Sequence, residues 1–399
     1  MESKQRLIRI VLLGFLTALA PLATDMYLPA LPLMNNEFNV GTSLIQMTLS
    51  ATMVGMAIGQ LFAGPLSDIL GRKPPLIAGM LLFTLSTFGC IFSGNIALFL
   101  TFRFIQGLTG AFGIVIARAI ARDCTSGSEL TRFFSLLMTV NGLAPILAPV
   151  IGGQILIIGD WRGVFLLLTV IGLLLTIATI YFDETLPKRL RANDFGESLR
   201  NINELTRDKY FLGHCFLQCA WFSVFFSYLS GSSFLFQDIY NVTPQTYSLI
   251  FGGLSASLVL GGLVPMKFAG KISEVKLLGW SVVQALIGGI LFMLCVISEA
   301  SIELTILSLF VMIPMGSILC ATSFSLSMRN HGKEAGSASA LLGSLPMLAG
   351  GLMAPLVGIA GSQNALPMAI IILVGNVIML IIFIKRIAAV HMKGSKLRS

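Results

Sequence analysis

The chain has 399 residues, of which 55% are hydrophobic and only 11% are charged. Soluble domains carry about 25% charged residues, so this composition excludes an ordinary soluble protein and indicates an integral membrane protein. The formal net charge of +8 does not indicate a nucleic-acid partner, because the basic residues are spread over many short connectors. We expect anionic lipid headgroups to be their counter-charge.

Twelve apolar stretches follow one another along the chain. A bilayer core about 30 Å thick needs about 20 apolar residues per helix, and each stretch is close to that length. We therefore predict an all-α integral membrane protein with 12 transmembrane helices. The predicted spans lie near residues 8–33, 43–66, 75–93, 96–117, 133–157, 162–182, 211–236, 246–268, 277–297, 302–326, 335–360 and 364–384.

One connector is far more charged than the others, and it divides the spans six and six. We predict an amino-terminal half at residues 1–185, a cytoplasmic linker at 186–210, and a carboxy-terminal half with a basic cytoplasmic tail at 211–399. In the linker, apolar residues at helical intervals predict a short surface helix over Phe195–Leu205. Two six-span halves that expose a shared site to each side in turn are typical of transporters.

Lysine and arginine are concentrated on alternate connectors. Of the 26 such residues, all except Arg103 and Arg162 lie on one side of the membrane if the spans alternate in direction. The positive-inside rule assigns that side to the cytoplasm. We therefore expect a multi-pass protein of the bacterial cytoplasmic (inner) membrane, with both termini in the cytoplasm.

The sequence contains no nucleotide-binding loop, no metal-ligand spacing and no nucleophile triad. An ATP-driven pump or an intramembrane hydrolase therefore has no support. We predict a protein that is not an enzyme and that needs no cofactor and no metal. Its expected partners are a small-molecule substrate, protons and the lipid bilayer.

Two charges of opposite sign are predicted deep in the bilayer, Asp25 in the first span and Arg103 in the fourth. Each lies about eight residues from the outer end of its span, or roughly 12 Å below the outer surface. A charge at that depth costs about 2.5 to 3.5 kcal/mol, so each needs a partner or a wet cavity. Because burial favours the neutral carboxyl and a nearby guanidinium favours the carboxylate, we interpret Asp25 as a proton carrier next to Arg103. A static ion pair that fixes helix register is the alternative.

Three further segments are distinctive because each contains glycine together with charged residues, with proline, or with both. GPLSDILGRKP (Gly64–Pro74) joins the second and third spans, and its charges can pair or cap a helix end. RFIQGLTGA (Arg103–Ala111) lies in the fourth span, and GLAPILAPVIGG (Gly142–Gly153) puts proline and glycine inside the fifth, where we expect a bend. The alternative is that proline and glycine only help the helices to pack. The predicted hinge residues are Pro145, Pro149, Gly152 and Gly153.

These segments resemble motifs A, B and C of the major facilitator superfamily. The first is similar to motif A, GxLxDRxGRK, except that Ile69 replaces the usual arginine, and the second resembles motif B. The third resembles motif C of antiporters, with Ala144-Pro145 where many members have Gly-Pro. Together with TDMYLPALP (Thr24–Pro32) and AGSASALLG (Ala335–Gly343), the pattern resembles the 12-span drug:proton antiporters of the Bcr/CflA group.

The resemblance implies two pseudo-symmetric six-helix halves in a single working chain that operates by alternating access. It implies that Asp25 is the proton-coupling acid and that Arg103 is the essential arginine of motif B. Some relatives carry a second acid where this chain has Thr17, so we predict one proton per cycle. Motif A implies a latch on the cytoplasmic side in which Arg72 pairs with Asp123. The predicted gating residues are Gly64, Asp68, Gly71, Arg72, Lys73 and Asp123.

The seventh span is unusually aromatic along one face. Such a stripe serves packing in many proteins, but a site for bulky and partly apolar molecules also needs broad rings with a few polar groups. Two polar residues in the fourth and fifth spans are further candidates for contact with substrate. The predicted substrate-binding residues are Gln106, Asn141, Gln218, Trp221, Phe225 and Tyr228.

These features predict proton-coupled efflux (antiport) of drug-like small organic molecules. Two alternatives stay open at this point. One is a metabolite exporter of the same fold, for a sugar or an amino acid. The other, from a different class, is a membrane sensor or assembly partner that does not transport.

Overall fold

The computed structural model of the chain describes residues 3–125, 127–191, 204–268, 271–329 and 335–389. Throughout these ranges every regular element is a helix. Twelve helical segments of this part of the chain are long and apolar enough to cross a membrane. The predicted all-α membrane fold with 12 spans is therefore confirmed.

The first of two compact units comprises Met1–Val40 and Met47–Glu197. It holds nearly all of the first six candidate spans, which its apolar helices provide in chain order. These helices are α1 (Ser3–Asp25), α2 (Leu31–Phe38), α3 (Thr42–Leu70), α4 (Lys73–Ile91), α5 (Ile96–Cys124), α6 (Gly127–Ile158) and α7 (Arg162–Ile180).

The second compact unit comprises Gly41–Gln46 and Ser198–Ser399. It holds the other six candidate spans. Its helices are α8 (Lys209–Phe234), α9 (Pro244–Phe268), α10 (Glu274–Ile297), α11 (Ile302–Met312), α12 (Met315–Met328), α13 (Ala335–Val357) and α14 (Leu366–Ile382).

The first span is not one continuous α-helix. Helix α1 ends at Asp25, and a 3-10 turn at Leu28–Ala30 leads into α2. Pro29 and Pro32 are consistent with the interruption, because proline has no amide hydrogen and is favoured in the first turn of a new helix. The predicted proton carrier therefore lies at the end of a helix, beside a break in its hydrogen bonding.

The tenth span is also divided, since α11 ends at Met312 and α12 begins at Met315 just after Pro314. The fifth span behaves differently, because α6 continues through Pro145 and Pro149. Gly152 has a packing role in this helix, since a Cβ there would lie 1.8 Å from the carbonyl oxygen of Met26. Helix α6 thus approaches the break in the first span closely.

The predicted helix over Phe195–Leu205 falls almost entirely at residues 192–203, outside the described residues. Most of the predicted basic tail, from residue 390 onwards, also lies outside them. The described part of the connector, at 183–191, contacts the turn between α3 and α4 and Asp123 near the end of α5.

Candidate functional site

Arg103, two turns into α5, is fully buried, with 0% of its surface exposed. One terminal nitrogen donates to the carbonyl oxygen of Ala23 at 3.0 Å and to Oε1 of Gln106 at 2.5 Å. The other terminal nitrogen and Nε have no hydrogen-bond partner in the described part of the chain. The site therefore encloses a guanidinium with unused donors.

Asp25 ends α1 and is buried, with 6% of its surface exposed. Its carboxylate accepts a hydrogen bond from the Thr24 hydroxyl at 2.9 Å. In the described part of the chain, Asp25 and Arg103 form no ion pair, which would require a nitrogen-to-oxygen distance of 4.0 Å or less. Arg103 nevertheless lies near the Asp25 segment in space, because it binds the carbonyl of Ala23, two residues before Asp25.

An aromatic ring supports the guanidinium of Arg103. The central carbon of the guanidinium lies 4.2 Å from the ring centroid of Tyr27 and 5.8 Å from that of Phe165. The Tyr27 hydroxyl is 3.0 Å from that of Thr48, so the ring is held from its far end. A cation over a desolvated aromatic face gains about 2 kcal/mol, which offsets part of the cost of burying Arg103.

Gln106 links this group to a neighbouring helix. Its side-chain nitrogen donates to the Thr87 hydroxyl of α4 at 2.8 Å, and that hydroxyl donates to the carbonyl of Phe83 at 2.6 Å. A hydrogen-bonded chain thus fixes the orientation of the Gln106 amide, which presents its oxygen to Arg103. Asn141, the other predicted polar residue in this unit, is half-buried on α6 and makes no hydrogen bond to this group within the described residues.

The predicted gating segment joins α3 and α4. Gly71 has a φ of +96°, which side chains with a Cβ rarely adopt, so this glycine makes the turn. Gly64, in contrast, lies inside α3, where its carbonyl oxygen accepts a bond from Ser67 at 2.8 Å. Only one of the two glycines therefore serves the turn, and Lys73 begins the next helix.

Arg72 is the centre of an ionic cluster beside this turn. Its Nε lies 2.8 Å from Oδ2 of Asp123 on α5, and its NH1 group bonds to Asp68 and to the Ser67 hydroxyl. Burial alone would lower the pKa of Arg72, but its hydrogen bonds to Asp123 and Asp68 outweigh burial and raise the pKa above its usual range. The cluster thus contains a guanidinium that stays charged at any physiological pH.

The predicted aromatic stripe of α8 forms a continuous row in the second unit. Trp221 stacks on Phe225 with ring centroids 6.2 Å apart, and Phe225 lies 6.3 Å from Tyr228. Tyr228 in turn stacks on Phe251 of α9 at 5.8 Å. A Cβ on Gly316 would lie 1.9 Å from the Trp221 ring, so this glycine makes room for the indole.

Gln218 lies one turn before this row and belongs to a separate polar group. Its side-chain nitrogen lies 3.4 Å from the Ser323 hydroxyl of α12. The same hydroxyl lies 2.9 Å from Nδ1 of His214, which is buried. Gln218 is therefore held by packing partners, while Phe225 is the one member of the stripe that is half-buried rather than buried.

Sequence reasoning did not single out several residues of these groups. Tyr27 stands two positions after Asp25 within the quoted TDMYLPALP segment, so a signal for it was present. Phe251 had no such signal, because its contact with Tyr228 depends on how α9 packs on α8. Glu184, described below, contacts Arg72 from 112 positions away in the sequence.

Two compact units with six apolar spans each, one of them enclosing a buried cation and a buried acid, define a polytopic membrane protein of the transporter class. The chain belongs to the Major Facilitator Superfamily, whose family model matches residues 13–355. The predictions of a transporter rather than an enzyme, and of a multi-pass membrane protein, are therefore confirmed.

Individual proteins agree with this assignment. The chain is 40% identical to an uncharacterized MFS-type transporter, YdgK, of Bacillus subtilis, with 94% of each chain covered. It is 27% identical to a bicyclomycin resistance protein homolog of Haemophilus influenzae, covering 92% of this chain and 93% of that one. Among solved structures, a bacterial homolog of the human lysosomal transporter Spinster has a TM-score of 0.78 at 13% identity, covering 97% and 98%, which shows the fold alone.

Proposed function

We propose that this transporter exports drug-like small organic molecules in exchange for protons. In this proposal Asp25 is the proton carrier, and Arg103 is the group that changes the proton affinity of Asp25. The relative named for bicyclomycin resistance supports a drug-like substrate. The observation that carries the coupling is the fully buried Arg103 with two unpartnered nitrogens, beside the segment that ends at Asp25.

A buried cation with unused donors is costly, so some step of the cycle supplies it with an acceptor. The Asp25 carboxylate is the candidate acceptor, since Arg103 already binds the carbonyl of Ala23, two residues before Asp25. When Asp25 is ionised, the attraction of opposite charges in a medium of low dielectric draws the two groups together. When Asp25 is protonated, that attraction is lost and the Arg103 donors are free.

This exchange couples the two flows. In the outward-open state a proton from outside neutralises Asp25 and substrate leaves. In the inward-open state substrate entry favours loss of that proton to the cytoplasm. The coupling arises because proton and substrate each bind one state better than the other. With Thr17 in place of a second acid, the scheme moves one proton per cycle.

The aromatic row of α8 and α9 is our candidate for the apolar part of the substrate site. Trp221, Phe225 and Tyr228 offer ring surface, and Gln218 of the same helix offers a polar group. Gln106 and Asn141 of the first unit stay predicted substrate contacts. Rings with a few polar groups suit bulky organic molecules better than sugars, whose many hydroxyls need many hydrogen-bond partners. This favours a drug-like substrate over a sugar.

The remaining parts of the cycle are assigned as follows. The cluster of Asp68, Arg72 and Asp123, with the turn at Gly71 and Lys73 and with Gly64 behind it, acts as a gate at the cytoplasmic side. Helix α6 flexes at its proline and glycine positions. The protein works as a monomer. It lies in the bacterial inner membrane with both termini in the cytoplasm, as the distribution of its Lys and Arg residues indicates. The proposed hinge residues are Pro145, Pro149, Gly152 and Gly153.

Purified protein in sealed vesicles tests the function. A drug gradient imposed across the vesicle membrane should drive protons in the opposite direction, which a trapped pH dye reports. The reversal potential gives the stoichiometry, and a value that requires two protons would overturn the single-carrier scheme. In a substrate panel, transport of sugars or amino acids but not drugs would favour a metabolite exporter, and absence of any flux would favour a sensor or assembly partner.

A further inference from the structure

Glu184 lies just after α7, at the start of the charged connector, and its carboxylate reaches the turn between α3 and α4. One of its oxygens accepts the backbone amide of Arg72 at 2.9 Å, and the other accepts that of Lys73 at 3.2 Å. Because Lys73 is the first residue of α4, these amides have no partner within the helix. Glu184 therefore caps α4 from a distant part of the chain, where the helix dipole also favours an acid.

The connector and the turn are in tight contact at Gly71. A Cβ on this residue would lie 2.5 Å from Oε2 of Glu184 and 2.6 Å from a terminal nitrogen of Arg191. The same Arg191 nitrogen lies 3.8 Å from that Glu184 oxygen. Glycine is therefore required at position 71 both because a side chain would clash and because φ is positive. Arg191 of the connector contacts this turn.

The connector also reaches the partner of Arg72. The hydroxyl of Thr185, the next residue, donates to Oδ2 of Asp123 at 3.3 Å. That oxygen is the one that lies 2.8 Å from Nε of Arg72. Neighbouring residues of the connector therefore contact both sides of the ion pair, Glu184 through the backbone of Arg72 and Thr185 through the carboxylate of Asp123.

Glu184 keeps its charge under physiological conditions. Burial alone would raise its pKa, but hydrogen bonds from the amides of Leu186, Arg72 and Lys73, together with the positive charge of Arg191, hold the pKa below its usual range. A permanent carboxylate is a stronger acceptor for helix-end amides than a neutral group. The cap is thus present throughout the pH range in which a bacterium holds its cytoplasm.

We propose that Glu184 is a positioning residue for transport: it fixes the turn at Gly71–Lys73 so that Arg72 is presented to Asp123, and Arg191 supplies a positive charge at this turn. Ile69 stands where the motif usually has an arginine, and Arg191 of the connector brings an arginine to the same turn. The effect on transport rests on the proposed function, whereas the effect on the turn and on Arg72 does not.

Hydrogen–deuterium exchange on the purified full chain tests the positioning without any substrate. In Glu184→Ala, the amides of Arg72 and Lys73 should exchange about tenfold faster or more, since each loses its acceptor. Glu184→Gln keeps one oxygen acceptor without the charge and should fall between Ala and wild type. The matched control is Lys188→Gln, an exposed residue of the same connector, which should exchange as wild type does. Unchanged exchange in Glu184→Ala would overturn the proposal.

Vesicle transport tests the consequence. Glu184→Ala should lower the maximal export rate several-fold and leave the KM for drug unchanged, because the turn lies at a gate rather than in the substrate site. In an Asp123→Asn background the same change should cause little further loss, because the contact that it positions is already broken. Independent, multiplying losses, or a rise in KM alone, would contradict a positioning role.

The two proposals fail in distinguishable ways. If the wild-type protein moves neither drug nor proton, the proposed function is wrong, while the exchange measurement still reports on Glu184. If wild-type transport occurs and Glu184→Ala exchanges faster but transports normally, the carboxylate stabilises the turn only and the proposed positioning role in transport is rejected.

Discussion

At the scale of single residues, the fully buried Arg103 explains most of the chemistry that we assign to this protein. Its charge is offset by the carbonyl of Ala23, the amide of Gln106 and the ring of Tyr27, with no acidic side chain within ion-pair distance in the described part of the chain. The cost of enclosing such a cation is reduced but not removed. The arrangement therefore suits a group whose surroundings change during a cycle.

Tyr27 provides the first prediction at this scale. Tyr27→Leu removes the ring below Arg103 and should lower the free energy of unfolding by about 2 kcal/mol, with a loss of proton-driven export. Tyr27→Phe is the matched control, since it keeps the ring and removes only the hydroxyl that contacts Thr48. Thermal unfolding and vesicle transport, measured on both variants, decide the matter. Equal effects of Leu and Phe would show that the hydroxyl matters and the ring does not.

Gly71 gives the second prediction. Gly71→Ala places a Cβ at φ +96° and against Glu184 and Arg191, so it should destabilise the protein by about 1 to 3 kcal/mol. Gly253→Ala in α9 is the control, because its nearest neighbour, Phe310, is at an ordinary 3.8 Å. Thermal unfolding of the two variants measures the difference. A Gly71→Ala protein as stable as the control would remove the argument for strain at this turn.

At the scale of elements, the distinctive features of the chain are helix ends that lie within or beside its spans. The break at Pro29 puts Asp25 at a helix end, and the break at Pro314 divides the tenth span. Helix α4 begins at a turn that Glu184 caps. Each of these positions is a helix terminus inside or beside the bilayer, where backbone groups need partners from outside the helix.

The cap on α4 predicts a pH dependence. A carboxyl group whose pKa is lower in the folded protein stabilises the fold fully above its ordinary pKa of about 4.3, and this contribution disappears as the pH falls through the lower, folded value. Acid titration of the unfolding midpoint should therefore be steeper in wild type than in Glu184→Gln below about pH 4.3. Parallel curves for the two proteins would mean that Glu184 makes no net contribution.

Much of the fold could be predicted at the element scale, because a bilayer demands a fixed length of apolar residues and the sequence provides it twelve times. The split of the first and tenth spans was not predicted, although Pro29 and Pro314 were visible. The reason is that a proline inside a membrane span can either bend a helix or end it, and neighbouring helices decide between the two.

At the scale of the whole molecule, family membership establishes a transporter of the Major Facilitator Superfamily, and the proposals concern what it moves and how. The sequence alone identified both buried charges, because charge within an apolar span stands out. It did not identify Tyr27 and Thr87 as members of the group around Arg103, or Glu184 as a neighbour of Arg72, since those contacts join residues that are distant along the chain or lie on different helices. A local sequence pattern identifies a charged residue whose burial is energetically unfavourable, whereas only the folded structure shows which groups surround it.

If Asp25 carries the proton, its removal should uncouple drug export from the pH gradient, and transport in vesicles measures this. Asp25→Asn and wild type are compared under an imposed pH gradient, with Glu299→Gln, an exposed acid in a connector, as the control. Wild type and the control should export drug against its gradient. Asp25→Asn should insert normally and exchange drug down its gradient, yet fail to respond to the pH gradient. Full proton-driven export by Asp25→Asn would contradict the account.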